Sequence, residues 1–294
     1  MSVTPVIDTR VLPRDRWRTL ETAHHERADA LTAGHRERAA RGQTHPVEDF
    51  LFTYYSYKPA VLRRWHPGQG VELREADDTE RRNWRWYAEG AASGSLRVDT
   101  AGFRERYGAL ILNIRRILVA TTGRTANFRC FGLHEWAMVY REDEHRHPVP
   151  LRLGGTGTDA VVEAHDLACT HFDAYRFFTP EAVPRNATPL DRASQVAREQ
   201  PGCLHAGMDL YKWAIKLGPL VPGDLLLDTF ELARDIRVLD MRASPYDLTD
   251  WGYEAVAIET AAGKADYVRG QRGFAERGEA LRTRLISVID GESN

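Results

Sequence analysis

Residues 103–121 read FRERYGALILNIRRILVAT. Phe103, Tyr107, Leu110, Ile111, Ile114 and Leu118 recur three or four apart, the spacing that puts side chains on one face of an α-helix. Asp99, just upstream, is a residue type whose carboxylate caps the free N–H groups of a first helical turn. A long amphipathic helix is predicted here, and similar signals run outward in both directions. Pro13 opens the polar stretch RDRWRTLETAHHERADALTAGHRERAARG, in which Trp17, Leu20, Ala28 and Leu31 make a thin apolar stripe and Gly42 marks the end. His45-Pro46 starts PVEDFLFTYYSYKPAVLRRW, interrupted near Pro59, and a further helix is expected over 79–91. Downstream, helices are expected over 189–199, 203–217, 223–241, 250–262 and 264–288. Strand signal is limited to pieces such as VPLRL and AVVEAH. The predicted class is mainly α: one compact multi-helix domain over 1–294 with a few short strands.

Residues 142–159, EDEHRHPVPLRLGGTGTD, turn charged and then rich in proline and glycine. They read as a long loop and a candidate subdomain boundary between 1–141 and 160–294.

The totals exclude several classes. Hydrophobic content of 43% and charged content of 28% are those of an ordinary globular chain. A formal net charge of −2 provides no overall basic field for indiscriminate nucleic-acid binding. Lysine occurs only at Lys58, Lys212, Lys216 and Lys264, so arginine supplies nearly all the positive charge, an imbalance that reads mainly as genomic base composition. Cys130, Cys169 and Cys203 are far apart, odd in number and form no CxxC, which argues against a disulfide framework and fits a reducing cytoplasm. The start, MSVTPVIDTRVLPRDRW, lacks an apolar leader core, and no run of about 18 apolar residues occurs, so neither secretion nor membrane insertion is expected.

Ionisable residues concentrate in four stretches. EAHDLACTHFDAYRFF (163–178) threads His165, His171 and Asp173 among aromatics. As a strand it would turn His165, Cys169, His171 and Asp173 to one face. Its composition favours a helix, in which His165 and His171 diverge by about 120° and cannot share an ion unaided. CLHAGMDLYKWAIKL (203–217) sets His205 and Asp209 four apart on one helix face, with Tyr211 on a neighbouring face. GLHEWAMVY (132–140) puts His134 and Glu135 beside Trp136, and Glu135 in so apolar a run is a candidate acid or base. FELARDIRVLDMRASPYDL (230–248) is mostly ion-pairing charge, including Arg242, but Asp240 precedes a proline-shaped turn and is singled out as a candidate catalytic carboxylate. DFLFTYYSYKP (49–59) adds an aromatic wall containing Tyr54 and Tyr55. For each stretch the alternative is a buried, hydrogen-bonded polar group or an ordinary core stripe.

No P-loop, GxSxG or HExxH occurs, and GGTGTD lacks the dinucleotide-binding spacing. ExxH spacing appears at Glu21/His24 and Glu142/His145, both in polar surroundings that disfavour a di-metal bundle.

The runs HPVEDFLFTYYSYKPAVLRRWHPG, FRCFGLHEWAMVYR, HFDAYRFFTPEA, CLHAGMDLYKWAIKLGPLVP and ARDIRVLDMRASPYDL resemble a bacterial family described as 3-methyladenine DNA glycosylase, over most of the chain. That resemblance implies hydrolysis of the N-glycosidic bond of an alkylated base in DNA repair, with no cofactor. KLGPLVPGDLLL followed by Asp240 is a loose echo of a helix-hairpin-helix and its catalytic aspartate. Such chemistry needs a pocket that stacks a flipped cationic ring and a carboxylate beside it. Tyr54, Tyr55, Trp136, Tyr211 and Arg242 are the candidate substrate contacts, and Asp240, Asp173 and Glu135 the candidate carboxylates. Two other readings stand beside it. One is a mononuclear metal enzyme acting on a small molecule, with iron or zinc held by His165, His171, His205 and Asp209. The other is a non-enzymatic helical binding module, which predicts no buried ionisable cluster.

Overall fold

The structure is a computed structural model and describes residues 10–142 and 148–292. Eleven α-helices and a small sheet are present among them. In chain order these are β1 (Arg10–Leu12), α1 (Arg14–Ala40), α2 (Phe50–Tyr54), α3 (Pro59–Leu62), β2 (Val71–Leu73), β3 (Tyr87–Glu89), β4 (Leu96–Val98), α4 (Thr100–Thr122), α5 (Leu133–Ala137), α6 (Gly154–Glu163), α7 (Phe172–Tyr175), α8 (Gln195–Arg198), α9 (Leu204–Leu217), α10 (Gly223–Arg242) and α11 (Ala261–Asp290). No helix among the described residues is long and apolar enough to cross a membrane.

The long helices form as expected. Asp99 caps α4 by accepting from the Gly102 N–H, and Phe103, Ile111, Ile114 and Leu118 are buried as their spacing requires. α9 is the centre of the molecule. Leu204, Leu210, Tyr211, Trp213, Ala214 and Leu217 are buried around its circumference, because α10 and α11 both pack on it. One hydrophobic core draws on both sides of 142–159, joining Leu51, Ile114 and Trp136 to Val162, Leu225 and Leu285. A smaller core under the sheet holds Trp17, Trp65 and Leu73.

Four expectations fail locally. Over 79–91 there is only a 3₁₀ turn (Glu80–Asn83) before β3, because Tyr87 and Glu89 are taken into pairing with Val98 and Leu96. The sheet, ordered β1-β2-β4-β3 with β1 parallel to β2, was not anticipated, and its strands are three residues each. The 142–159 segment is not all loop: Gly154–Glu163 is helical, while 143–147, and with them His145 of the second ExxH pair, lie outside the described residues. The expected helices at 189–199 and 250–262 shrink to α8 and to a 3₁₀ turn at Thr249–Trp251.

The stretch 163–178 is also not a continuous helix. α6 ends at Glu163, the chain runs extended past Leu167, and α7 is a single turn. Asn186 is the physical cause. Its side-chain carbonyl accepts from the Cys169 N–H at 2.8 Å and its amide donates to the Cys169 carbonyl at 3.1 Å. A side chain thus satisfies backbone groups that a helix would have paired internally. His171 is left in extended backbone (φ −112°, ψ 115°), aimed at α9.

Candidate metal centre

α5 begins in strained backbone. Phe131 (φ 48°) and Gly132 (φ 75°) are consecutive left-handed residues. A Cβ on Gly132 would sit 3.3 Å from Ala243 and from the Tyr267 ring, so the tight approach to α10 needs glycine. From this turn His134 and Glu135 project into the core in different directions, as neighbours on a helix must. Glu135 meets Arg237 of α10, with NH1 donating to Oε1 at 3.0 Å. His134 faces Asp240, one turn further along α10, with Nε2 2.9 Å from Oδ1. The His205 ring of α9 stands edge-on to His134 at 4.5 Å between centroids. One ligand atom each from His134, His205 and Asp240 falls within 4.8 Å of the others.

A second triad adjoins the first. His171 lies 5.4 Å from His205, ring to ring, and its Nε2 is 3.3 Å from both Glu199 and Asp209. Lys212, one turn beyond Asp209 on α9, places Nζ 2.6 Å from Asp209 and 2.9 Å from Asp173, and Arg192 closes on Asp173 at 2.7 Å. All five carboxylates here are buried: Glu135, Asp173, Glu199, Asp209 and Asp240. The fixed cations are four, Arg237, Lys212, Arg192 and Arg176. One negative charge therefore needs compensation, and unpaired charge is expensive in such a place.

The electrostatics follow from that excess. Burial works against a charged His134, yet Asp240 and Cys130 hold its imidazole well above its ordinary range. Burial is likewise overcome at His171, which Glu199 and Asp209 push up to about 9. His205 goes the other way, down to about 3, through burial and the two neighbouring histidines. It is a neutral imidazole with a free lone pair, the form that ligates metal. Asp240, despite its burial, is drawn down to about 2 by His134.

A cavity of about 60 Å³ opens on this cluster. His171, His205, Glu135, Asp173 and Asp209 line its polar side. Its aromatic side is built by Phe50 and Tyr54, stacked at 5.0 Å, and by Tyr55, edge-on to Tyr54. Asp240 is 0% exposed and lies behind His205, so it cannot touch a ligand held in the cavity.

The fold thus brings together His171, His205, Asp209, Asp173, Glu135, Tyr54 and Tyr55, with Asp240 beneath them. It leaves four candidates outside. His165 lies two residues past the end of α6 and donates to the Val161 carbonyl, away from the cluster. Trp136 is fully buried with its indole N–H on the Ala243 carbonyl. Tyr211 stands behind Tyr55 at 5.5 Å in the core. Arg242 donates to the Glu254 carbonyl at the exposed end of α10. His134 and Glu199 complete the triads but were not among the expected ligands. His134 was legible only as the neighbour of Glu135, and Glu199 ends the expected 189–199 helix with no other ionisable candidate singled out beside it. No family model, no curated protein and no solved structure matches the chain.

Proposed function

We propose that the protein is a metal-dependent enzyme acting on a small molecule, with a divalent cation held by His134, His205 and Asp240. One observation carries the reading. Both carboxylate oxygens of Asp240 and the Nε2 of His134 are buried without a hydrogen-bond partner, although they are 2.9 Å apart. The approach is close but misaligned for a hydrogen bond, and a cation bound there would take the place of the His134 proton. Leaving such groups unsatisfied costs about 1–3 kcal/mol each, which a bound cation would recover. Cys130 Sγ lies 3.3 Å from the other nitrogen of His134, an outer partner of the kind that fixes a ligating imidazole. Two histidines and one carboxylate suit zinc, which acidifies a bound water, or iron(II). His205 is the ligand that faces the cavity, so a substrate there would meet the ion on that side.

The test is elemental analysis and titration calorimetry of tag-free protein with zinc and iron(II), beside Asp240→Asn. One bound equivalent, lost in the variant, supports the reading. Protein that binds no cation at micromolar concentration sinks it.

The aromatic wall supports a second reading, removal of an alkylated base as the family resemblance implies. Phe50, Tyr54 and Tyr55 line the cavity beside Glu135 and Asp209, the residue types a cationic purine needs. Asp240 is too deep for the part of touching carboxylate, so that part passes to Glu135 or Asp209. The cavity would have to widen to admit a purine. Release of 3-methyladenine from alkylated DNA, abolished by Glu135→Gln, is the measurement.

A further inference from the structure

The face of α9 that carries His205, Asp209 and Lys212 continues to Lys216, eleven residues beyond His205 and about 17 Å along the axis. There it borders a different depression, an open cleft of about 500 Å³ between the residues flanking α3, the segment leading into β3, α4 and the end of α9. The size is that of a site for one small ligand, about 300–1,000 Å³. Its walls are aromatic. Trp86 stands edge-on to Phe103 at 5.2 Å and to Tyr107 at 5.7 Å, and Trp84 edge-on to Tyr87 at 5.5 Å. The backbone is shaped to this wall. Tyr107 is the one described residue inside α4 with non-helical angles (φ −121°, ψ 15°), and Gly218 (φ 55°) lets the chain pass where a Cβ would lie 3.2 Å from the Phe103 ring.

The charges at the cleft are all of one sign. Arg64, Arg85 and Lys216 line it, and no aspartate or glutamate does among the described residues. Arg85 lies over Trp86 at 4.6 Å and Arg64 over Trp84 at 5.7 Å, leaving their guanidinium edges for an anion. Most inward arginines elsewhere are tied to carboxylates, as Arg27, Arg38 and Arg152 are. A concave aromatic wall with uncompensated cations selects a planar ring that carries negative charge. The chain's net charge of −2 argues against a long polyanion as the occupant.

We propose that this cleft is a second ligand site, taking a nucleoside monophosphate with its base against the Trp84–Trp86 wall and its phosphate held by Arg64, Arg85 and Lys216. The site is separate from the metal centre and does not depend on it.

Titration calorimetry with AMP, GMP and UMP on the full chain tests this. At least one nucleotide should bind, the matching nucleoside should bind about tenfold or more weakly, and Arg85→Glu and Trp84→Ala should each weaken binding by about tenfold or more. Arg85 is exposed, so its variant folds whatever becomes of Trp84→Ala. Asp240→Asn should leave nucleotide binding unchanged. The proposal is overturned by no binding at millimolar nucleotide or by binding indifferent to Arg85→Glu. An oligothymidylate binding about tenfold tighter than every mononucleotide would overturn it equally, since the occupant would then be a strand.

Discussion

Nε2 of His134 and Oδ1 of Asp240 stand 2.9 Å apart with no exposure to solvent on the carboxylate, and they do not form an aligned hydrogen bond. Their contact is a charge pair. A buried pair is costly to split, because the partner left behind keeps its desolvation cost and loses its compensation. Asp240→Ala is therefore expected to destabilise the metal-free protein by about 3–5 kcal/mol in urea denaturation. Asp240→Asn keeps the shape and should cost less. A loss in Asp240→Ala of under about 0.5 kcal/mol, the range of ordinary surface substitutions, would show that the two residues are not coupled.

Lys212 and Arg192 both reach Asp173, but their surroundings differ. The Lys212 side chain is 14% exposed and that of Arg192 58%. Lys212 also serves Asp209, so Lys212→Met leaves two buried carboxylates short of charge. We expect a loss of about 3 kcal/mol or more for Lys212→Met. Arg192→Ala should cost no more than about 1 kcal/mol, because water screens the pair it leaves. Thermal denaturation of both variants in one buffer checks the order. Equal losses would refute it.

His66 gives a pH dependence that can be isolated. Its Nδ1 accepts from the Tyr87 hydroxyl at 2.9 Å, and burial with Arg81 and His24 nearby pulls its pKa down to about 3. The folded state therefore binds the proton less readily than the unfolded chain, whose value is about 6.5. The stabilisation is complete above the unfolded value and drains away as pH falls from there towards 3. Within that window wild type should lose up to about 1.4 kcal/mol per pH unit relative to His66→Gln. Parallel stability–pH curves for the two proteins would exclude the effect.

Gly132 tests whether the strained start of α5 matters to the site. Alanine there must hold a φ of 75° and press its Cβ on Ala243 and Tyr267. A loss of about 1–3 kcal/mol is expected from the backbone alone. Because His134 is two residues on, cation affinity should fall as well, about tenfold. Calorimetric affinity unchanged beside a clear stability loss would mean that the turn supports folding only.

Periodic patterning carried the long helices. The apolar spacing in 103–121 and in 203–217 reports burial against neighbours, and burial is what the fold delivers at Ile114, Leu210 and Trp213. The i, i+4 relation of His205 and Asp209 was legible for the same reason. The rest of the centre is assembled by contacts distant in sequence. His171 joins Asp209 across 38 residues, Glu135 joins Arg237 across 102, and His134 joins Asp240 across a similar interval. Spacing along the chain has no information on such meetings. The strands escaped notice because three residues are too few to show an alternation.

Asn186 is the strongest case of a determinant invisible beforehand, and it yields a last prediction. It sits in an irregular stretch, TPEAVPRNATP, with nothing to distinguish it from loop filler. Yet its amide binds both backbone groups of Cys169 and the Thr188 carbonyl at 2.7 Å, and so holds the chain extended where its composition favours helix. Asn186→Leu has similar volume but cannot donate or accept. It leaves the Cys169 N–H and carbonyl unsatisfied in a buried place, at about 1–3 kcal/mol each. The freed segment should then relax towards helix and swing His171 away from Asp209 and Glu199. We expect lower stability together with an altered His171 imidazole resonance by NMR, whereas Asn186→Asp, which keeps the acceptor for the Cys169 N–H, should retain more of both. A His171 resonance identical in wild type and Asn186→Leu would show that the extended segment holds its conformation without the Asn186 side chain.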